Sequence, residues 1–329
     1  MNPLKLNRCL DKLIPITTPL AVALGLFLPD VFINLRPLVI LLFGIMTFSG
    51  ALKLTASEIG STVKSPVPIL LFFFTSHVIM PLAALFSSSL IFTDTDVVAG
   101  FVLLFAGPTA VSGFIWVTIF KGDKALALSL ILLDTLLAPL VVPATVSVLM
   151  GAKIAMDMSG IAFSLLLMVV VPTIIGVMLN ETSRGKIPQV ICPALDPAAK
   201  ICLMLVIAAN SSVVAPNIKF NDPLVWGIAL LCIVLTSSGF LLARLNGIAC
   251  RRGVAKVTDG AKVPCDAKAS GAEKSASLVI AGGLRNNSAV MTIAVTFFPE
   301  AAVFPAILSI VFQQMIAAVM GKVLIRSGE

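Results

Sequence analysis

The sequence predicts an all-α polytopic membrane protein with ten transmembrane helices, and three observations predict this fold class. First, 58% of the 329 residues are hydrophobic and only 12% are charged, which gives a mean hydropathy of +1.08, unlike ordinary soluble domains. Second, apolar windows close to the 20 residues that cross the hydrocarbon core recur along the whole chain. Third, two of these windows are interrupted at matching positions. The predicted spans are 13–32, 36–54, 66–92, 97–120, 123–150, 159–180, 197–218, 223–247, 275–299 and 303–325.

The basic residues predict the orientation of these spans, because cytoplasmic loops of membrane proteins carry an excess of Lys and Arg. With a cytoplasmic N-terminus, nineteen of the 23 basic residues fall in inner segments, and only Arg36, Lys153 and Lys219 fall outside. Arg285 lies within a span. We therefore expect an integral protein of a bacterial inner membrane with both termini in the cytoplasm. The longest connection, 249–273, is rich in Gly, Lys, Asp and Ala and is predicted to be a basic cytoplasmic loop.

The ten spans divide into two halves, 1–158 and 159–329, which have inverted topology because each holds an odd number of spans. The fourth span is broken around GPTAVSG at 107–113, and the ninth around GGLRNNS at 282–288. Backbone groups freed by such breaks persist in membranes only where they line a cavity or pack inside protein. Paired breaks at matching positions indicate a transporter site. The alternative is that Gly and Pro are tolerated there as packing kinks.

Arg285 is the most unusual residue of the chain, because a cation near the middle of a bilayer is costly and usually has a partner or a function. Its planar guanidinium suits a carboxylate, phosphate or sulfate group of a substrate. An internal ion pair with Asp134, the only acid deep in a span, is an equal alternative. His77, the single histidine, could relay protons, or it could be a packed and hydrogen-bonded core residue.

Neutral polar residues flank both breaks and are predicted to bind the same solute. They are Asn286 and Asn287 at the ninth-span break, and Thr109 and Ser112 at the fourth-span break. The N-termini of half-helices beside them would favour an anion. Hydrogen bonding between helices is the alternative reading for all of them, and it is the first expectation for the polar groups in the seventh and tenth spans, which are Asn210, Ser211, Ser212, Gln313 and Gln314.

Several classes of function are excluded by what the sequence lacks. It has no HExxH, GxSxG with a plausible base, or Walker motif, so neither an enzyme nor a self-contained pump is expected. The net charge of +7 is spread between apolar spans and does not form a nucleic-acid surface. The six cysteines show no CxxC spacing, so no metal site is predicted.

The chain resembles, nearly from end to end, the bile acid:sodium symporters, which carry bile acids, a pantothenate precursor and pyruvate. The resemblance is carried by SHVIMPL in the third span, GPTAVSG in the fourth, GDKALALSLILLDTLLAPLVVP in the fifth and GGLRNNSAVMTIAVTFFP in the ninth. It implies a panel domain and a core domain, with the fourth and ninth helices crossing at their broken centres. It also implies an organic anion bound beside the crossing and alternating access by movement of one domain against the other.

The sequence departs from the sodium-using members of that family at the positions that the resemblance assigns to sodium. Where those members carry an acid followed by Gln-Asn in the ninth helix, this chain has Ala281 or Gly282 and then Arg285 and Asn286. The fourth-helix, fifth-helix and third-helix positions become Gly113 with Phe114, Ala127 with Ile131, and Ser76. Sodium needs several oxygen ligands, so no cofactor is predicted here, although the family implies sodium. The Arg285 guanidinium is expected to replace the sodium charge.

We therefore predict a secondary transporter that moves a small or amphipathic organic anion through a lipid bilayer, without the family sodium sites and without nucleic-acid partners. One alternative is a proton-coupled or facilitative exporter on the same scaffold. The other is a transport-incompetent membrane sensor that signals through the 249–273 loop. The substrate-binding residues are expected to be Arg285, Asn286, Asn287, Thr109 and Ser112, with Asp134 and His77 as coupling groups or charge partners.

Overall fold

The computed structural model describes residues 16–55, 66–151, 157–216, 218, 221–258 and 271–325. Within these ranges the regular secondary structure is helical. The helices, in chain order, are α1 (Ile16–Phe27), α2 (Pro29–Ala51), α3 (Pro66–Ile91), α4 (Thr95–Ala106), α5 (Gly113–Ile119), α6 (Lys124–Met150), α7 (Met158–Thr182), α8 (Lys186–Val214), α9 (Pro223–Thr258), α10 (Gly271–Gly283), α11 (Asn287–Phe297) and α12 (Phe304–Ile325).

Seven helices in the described ranges are long and apolar enough to cross a membrane: α2, α3, α6, α7, α8, α9 and α12. The short apolar helices α1, α4 and α11 do not meet that length. The two predicted breaks are present, because α4 ends before residue 107 and α5 begins at 113, while α10 ends at 283 and α11 begins at 287. These helix lengths do not establish ten spans in two inverted repeats, and that arrangement stays a prediction.

The first predicted boundary is wrong. The sequence placed the first turn between spans 13–32 and 36–54, but the chain turns at Leu28, and α2 begins at Pro29. A residue before proline is pushed out of the α region by the proline ring, and Leu28 has φ −126° and ψ 52°. The dipeptide Pro29-Asp30 is a helix-start signal that hydropathy windows overlook.

The predicted loop at 249–273 also begins later than expected. Helix α9 passes the predicted end of the eighth span and continues to Thr258, and α10 begins at Gly271. The segment between these two helices, 259–270, lies outside the described residues.

The helices pack in two groups. The first is α1, α2, α7 and α8, with Gly25 of α1 against α8, and the second is α3, α4, α5, α9, α10 and α12. Helices α6 and α11 contact both groups. The main core is formed by buried apolar side chains of α4, α6, α7, α8, α9, α11 and α12. Large apolar side chains on the outer surface stay exposed, such as Phe27 (74%), Leu140 (71%) and Val148 (83%). A continuous apolar exterior of this kind needs lipid around it.

Helix α3 contains one wide π turn, Thr75–Ile79, immediately before Met80 and Pro81. The proline has no N–H for the ladder, and a widened turn accommodates its ring. Residues 75–77 of this turn are buried and face the interior of the second group. The turn thereby brings a histidine and a backbone carbonyl to the level of the two helix breaks.

Candidate functional site

The two helix breaks meet each other in the middle of the protein. Thr109 and Arg285 form an isolated antiparallel bridge. The N–H of Asn286 donates to the carbonyl of Pro108 at 2.7 Å, and the N–H of Ala110 donates to the carbonyl of Leu284 at 3.4 Å. Some of the backbone groups that each break frees are therefore satisfied by the other break, and the side chains of Asp134 and Gln313 bond to others.

Glycines allow the broken ends to come this close. A Cβ on Gly107 would lie 2.3 Å from Cγ2 of Val290, and a Cβ on Gly283 would lie 2.4 Å from the ring of Phe240. Neither neighbour is the free end of a flexible chain, so a larger residue would force the helices apart. The glycines of GPTAVSG and GGLRNNS thus have a packing role beside the break itself.

Thr109 fastens the fourth-span break to the ninth. Its hydroxyl lies 2.7 Å from the carbonyl of Ala281 and 3.0 Å from that of Leu284, and the residue is fully buried. The sequence predicted that Thr109 binds substrate. In the structure its side chain is buried and bonds to Ala281 in α10 and to Leu284, the residue after α10.

Asp134 lies beneath the junction and is fully buried in α6. Its Oδ1 is 2.7 Å from Nε2 of His77, and its Oδ2 accepts the backbone N–H of Thr109 at 2.7 Å. With the carboxylate ionised, Nε2 of His77 carries the hydrogen, and Nδ1 is a buried nitrogen without a hydrogen-bond partner. The ring of His77 stacks on Phe73 with centroids 5.4 Å apart.

The predicted alternative of a direct pair between Asp134 and Arg285 is not the arrangement found. Both residues are in the described part of the chain, and Asp134 is paired with His77 instead. Asp134 is instead linked to Arg285 through Thr109, whose N–H donates to the carboxylate and whose backbone pairs with that of Arg285. The two opposite charges therefore lie on either side of one residue while the Asp134 oxygens bond to other groups.

Arg285 is 3% exposed, and Gln313 of α12 holds its peptide on both sides. The Arg285 N–H donates to Oε1 of Gln313 at 3.3 Å, and its carbonyl accepts from Nε2 at 2.8 Å. The guanidinium turns toward the π turn of α3, where Nη2 is 3.5 Å from the carbonyl of Ser76, and Nη1 has no hydrogen-bond partner. A buried cation with an unused donor is a strong candidate for a ligand-binding group.

The two asparagines have different surroundings. Oδ1 of Asn286 accepts the N–H of Ala289 at 3.2 Å and caps the N-terminus of α11. Nδ2 of Asn287 donates to Oγ of Ser309 at 2.9 Å, while its Oδ1 is buried without a partner. Ser112 precedes α5 without a side-chain capping bond.

A cavity of about 140 Å³ opens beside the junction. One wall comes from the first helix group, through Phe43, Met46 and Thr47 of α2 and Leu203 and Ile207 of α8. The other wall carries polar groups of the breaks and of α12, which are Ser112, Arg285, Asn286, Asn287, Ser288, Gln313 and Gln314. Four of the seven predicted site residues therefore border the cavity, and Thr109, Asp134 and His77 lie behind it.

Sequence reasoning missed how Ser76 and Gln313 act on Arg285. The carbonyl of Ser76 reaches it only because of the π turn, which no hydropathy pattern shows. Gln313 was expected to make bonds between helices, and it does so with the Arg285 peptide. Asn210 likewise donates to Oγ1 of Thr292 at 2.8 Å. For Gln313 and Asn210, the signal in the sequence was an amide side chain within an apolar span.

Comparison with known proteins places the chain in a family. The sequence profile of the Sodium Bile acid symporter family matches residues 39–220. Uncharacterized protein YbaS of Bacillus subtilis is 35% identical over 313 residues, which cover 95% of this chain and 96% of that protein. Uncharacterized sodium-dependent transporter YocS of Bacillus subtilis is 22% identical over 229 residues, covering 70% and 69%.

A plant protein is similar at lower coverage. Probable sodium/metabolite cotransporter BASS1, chloroplastic, of Arabidopsis thaliana is 26% identical over 239 residues, covering 71% of this chain and 59% of that protein. The family profile, the full-length similarity to the first Bacillus protein and the apolar helices agree with one another. This chain belongs to the sodium bile acid symporter family and is an integral membrane transporter protein.

Proposed function

We propose that this protein is a secondary transporter that moves a small organic anion across a bacterial inner membrane by alternating access, with the Arg285 guanidinium in place of bound sodium. Ten spans in two inverted repeats would carry it, with both termini in the cytoplasm. The observation that carries the proposal is a buried arginine with an unused donor, held where two interrupted helices meet at a cavity.

The cavity supports a small solute. Ligand sites for drug-sized molecules enclose about 300–1,000 Å³, whereas this cavity is about 140 Å³. Its polar wall offers the unpartnered Oδ1 of Asn287 and the cavity-lining Ser288, and its other wall is mainly apolar, with Thr47 among Phe43, Met46, Leu203 and Ile207. The sequence predicted a small or amphipathic organic anion. Within that class, a small carboxylate with a short apolar body fits a cavity with one polar and one mainly apolar wall better than a sterol-sized anion does.

The charges at the junction argue against a bound sodium ion. Sodium needs several oxygen ligands, and the carbonyls at the junction already face donors: that of Ser76 accepts from the cationic Arg285, and those of Ala281 and Leu284 share the one hydrogen of the Thr109 hydroxyl. The fifth-span positions implied by the family, Ala127 and Ile131, are buried and apolar. The positive charge of the Arg285 guanidinium would also repel a sodium ion bound close to it.

Sodium appears in the printed names of YocS and BASS1, so the proposal predicts that this chain differs from those proteins. The family profile ends at residue 220, before the ninth-span break. A change of coupling ion at Arg285 is therefore compatible with the match over the preceding residues.

Proton coupling is the second candidate, and the pair of His77 and Asp134 favours it. The two groups are 2.7 Å apart, and the open Nδ1 of His77 is the atom that would take a proton. With neutral His77, the charges of Asp134 and Arg285 cancel. A proton on the pair leaves one net positive charge at the junction, which would favour an incoming anion.

Uptake into proteoliposomes tests both ideas, with radiolabelled pyruvate and taurocholate as probes of the small and the large anion. Equal uptake in sodium and in choline buffers is expected, with a higher rate for pyruvate. An inward proton gradient should raise uptake in the parent protein and have no effect in His77→Gln. Strong sodium dependence would overturn the replacement of sodium by Arg285.

Arg285→Gln is expected to abolish uptake while leaving membrane abundance unchanged. Arg244→Gln is the matched control, because Arg244 lies half-buried on α9 and donates to Oγ of Ser275 at 3.3 Å, away from the cavity. It should keep most of the uptake. Preserved flux in Arg285→Gln would remove this arginine from the mechanism.

A further inference from the structure

A second cavity lies between the first turns of α2 and the last turns of α11. Its volume is about 510 Å³, larger than the cavity at the junction. Ile33 and Ile40 give it an apolar side. Its polar side is formed by Asn34, Arg36, Asn210, Thr292 and Thr296. The cavity thus has room for an amphipathic molecule and one charged group, which is cationic.

Arg36 gives this cavity its charge. Nη2 donates to the carbonyl of Val295 at 3.2 Å, and the rest of the exposed guanidinium keeps free donors. In the described part of the chain no carboxylate forms an ion pair with it. Asp30 lies one and a half turns earlier in α2, exposed, and its backbone carbonyl is bonded to Nδ2 of Asn34. The local field at Arg36 therefore favours anions.

The two cavities follow one another along the same two helices. Ile207 of α8 and Ser288 of α11 line the inner cavity, and Asn210 and Thr292, about one helical turn further, line the outer one. Nδ2 of Asn210 donates to Oγ1 of Thr292 at 2.8 Å, and both residues are buried. This hydrogen bond joins α8 of the first helix group to α11 between the cavities.

The position of Arg36 is also informative. It is one of three basic residues predicted on the outer side, where the topology signal disfavours them. A cation kept there beside a cavity attracts anions and raises their local concentration.

We propose that the outer cavity is an anion-binding vestibule, in which Arg36 binds the carboxylate or sulfonate group of the substrate before the bond between Asn210 and Thr292 opens. The vestibule rests on the proposed transport of an organic anion, and it adds a second binding site on the substrate path. The apolar body of the substrate packs on Ile33 and Ile40, and the inner cavity receives the anion afterwards.

The test measures the local field without any transport. Thr296→Cys places a thiol on an exposed lining position. Purified protein in proteoliposomes is treated with methanethiosulfonate ethylsulfonate, an anion, or with its trimethylammonium counterpart, a cation. Mass spectrometry of the peptide that carries residue 296 gives the two rates, so the native cysteines can stay.

With Arg36 present, the ratio of the anionic to the cationic rate is expected to be about fivefold higher than in Arg36→Gln, as a single nearby charge predicts. Arg36→Lys should restore most of the ratio, and 1 M salt should reduce it. Equal ratios in the parent and in Arg36→Gln would overturn the vestibule. If Thr296→Cys does not fold, Asn34→Cys, at an exposed lining position on α2, serves the same measurement.

Failure of the vestibule is distinguishable from failure of the proposed function. An unchanged labelling ratio with normal pyruvate uptake removes only the vestibule. The expected ratio without uptake of either probe anion contradicts the transport proposal, because the labelling does not depend on flux.

Discussion

Replacing Asp134 by alanine tests the charge balance at the helix junction most directly. The substitution removes the acceptor of two buried bonds, one from His77 and one from the Thr109 N–H, both at 2.7 Å. It also removes a buried negative charge beside Arg285, because Thr109, which bonds to Asp134, pairs through its backbone with Arg285, and Arg285 is 3% exposed. The structure thus predicts that three groups lose their compensation at once.

The expected magnitude follows from these groups. A buried donor without an acceptor costs about 1–3 kcal/mol, and a buried charge left without its partner costs about 3–5 kcal/mol. The three costs are not additive, because the groups lie together and one local rearrangement can compensate all of them. Asp134→Ala should therefore lower the free energy of unfolding by about 3–5 kcal/mol. Arg285→Gln in the same chain should recover part of this loss, since the uncompensated charge is then absent.

The assay is unfolding of the purified protein in sodium dodecyl sulfate, for the two single variants and the double variant. Asp196→Ala is the control carboxylate away from the junction; it pairs with Lys53, whose side chain is 52% exposed, and accepts a bond from Oγ of Ser49 at 2.9 Å. A partly exposed pair contributes about 0–1 kcal/mol and the hydroxyl bond about 1 kcal/mol, and Arg285→Gln should not rescue this loss. A cost below about 1 kcal/mol for Asp134→Ala, or strictly additive effects with Arg285→Gln, would refute the electrostatic reasoning.

The other predictions concern packing, a gate and pH. Gly100→Ala places a Cβ 2.3 Å from a backbone carbonyl of the turn before α12 and should cost about 1–3 kcal/mol, whereas Gly44→Ala meets its nearest atom at 3.6 Å and should be tolerated, as thermal-shift midpoints will show. A double-mutant cycle of Asn210→Leu and Thr292→Val in the same unfolding assay should give a coupling of about 0.6–1.7 kcal/mol; zero coupling would contradict the bond. Asp157 caps α7, and hydrogen bonds from the Ser159 hydroxyl and the Gly160 N–H lower the pKa of its carboxyl group. The stability that this cap contributes is therefore present above the ordinary pKa of aspartate and is lost as the pH falls through the lowered pKa. Asp157→Asn should flatten stability against pH below about 4, and an unchanged profile would contradict this cap.

Much of the fold could be predicted from local chemistry. Long apolar windows are a direct consequence of the bilayer thickness, and they located α3, α6, α7 and α12 to within three residues at either end. Windows fail where a short signal overrides hydropathy. At Leu28 the following proline ends α1, and beyond residue 247, where the predicted span ends, helix α9 continues through polar sequence to Thr258.

The candidate site was only partly predictable. Gly, Pro and Asn clustered within a few residues of an apolar span identified both breaks, whereas single prolines such as Pro139 and Pro143 are accommodated inside the continuous helix α6. Which side chain would face Asp134 was not predictable, since His77 and Arg285 were both available. The π turn at Thr75–Ile79 decided it by turning His77 inward.

By itself the sequence determined that this protein lies in a membrane, that two of its helices are broken and that a cation sits at one break, because composition and local residue types carry that information. Only the tertiary structure decided that the breaks bond to each other, that Asp134 pairs with His77, and that Arg285 points at the Ser76 carbonyl with one donor unused. The physical reason is that these contacts join residues far apart in the chain. Their distances depend on helix packing, which no linear pattern encodes.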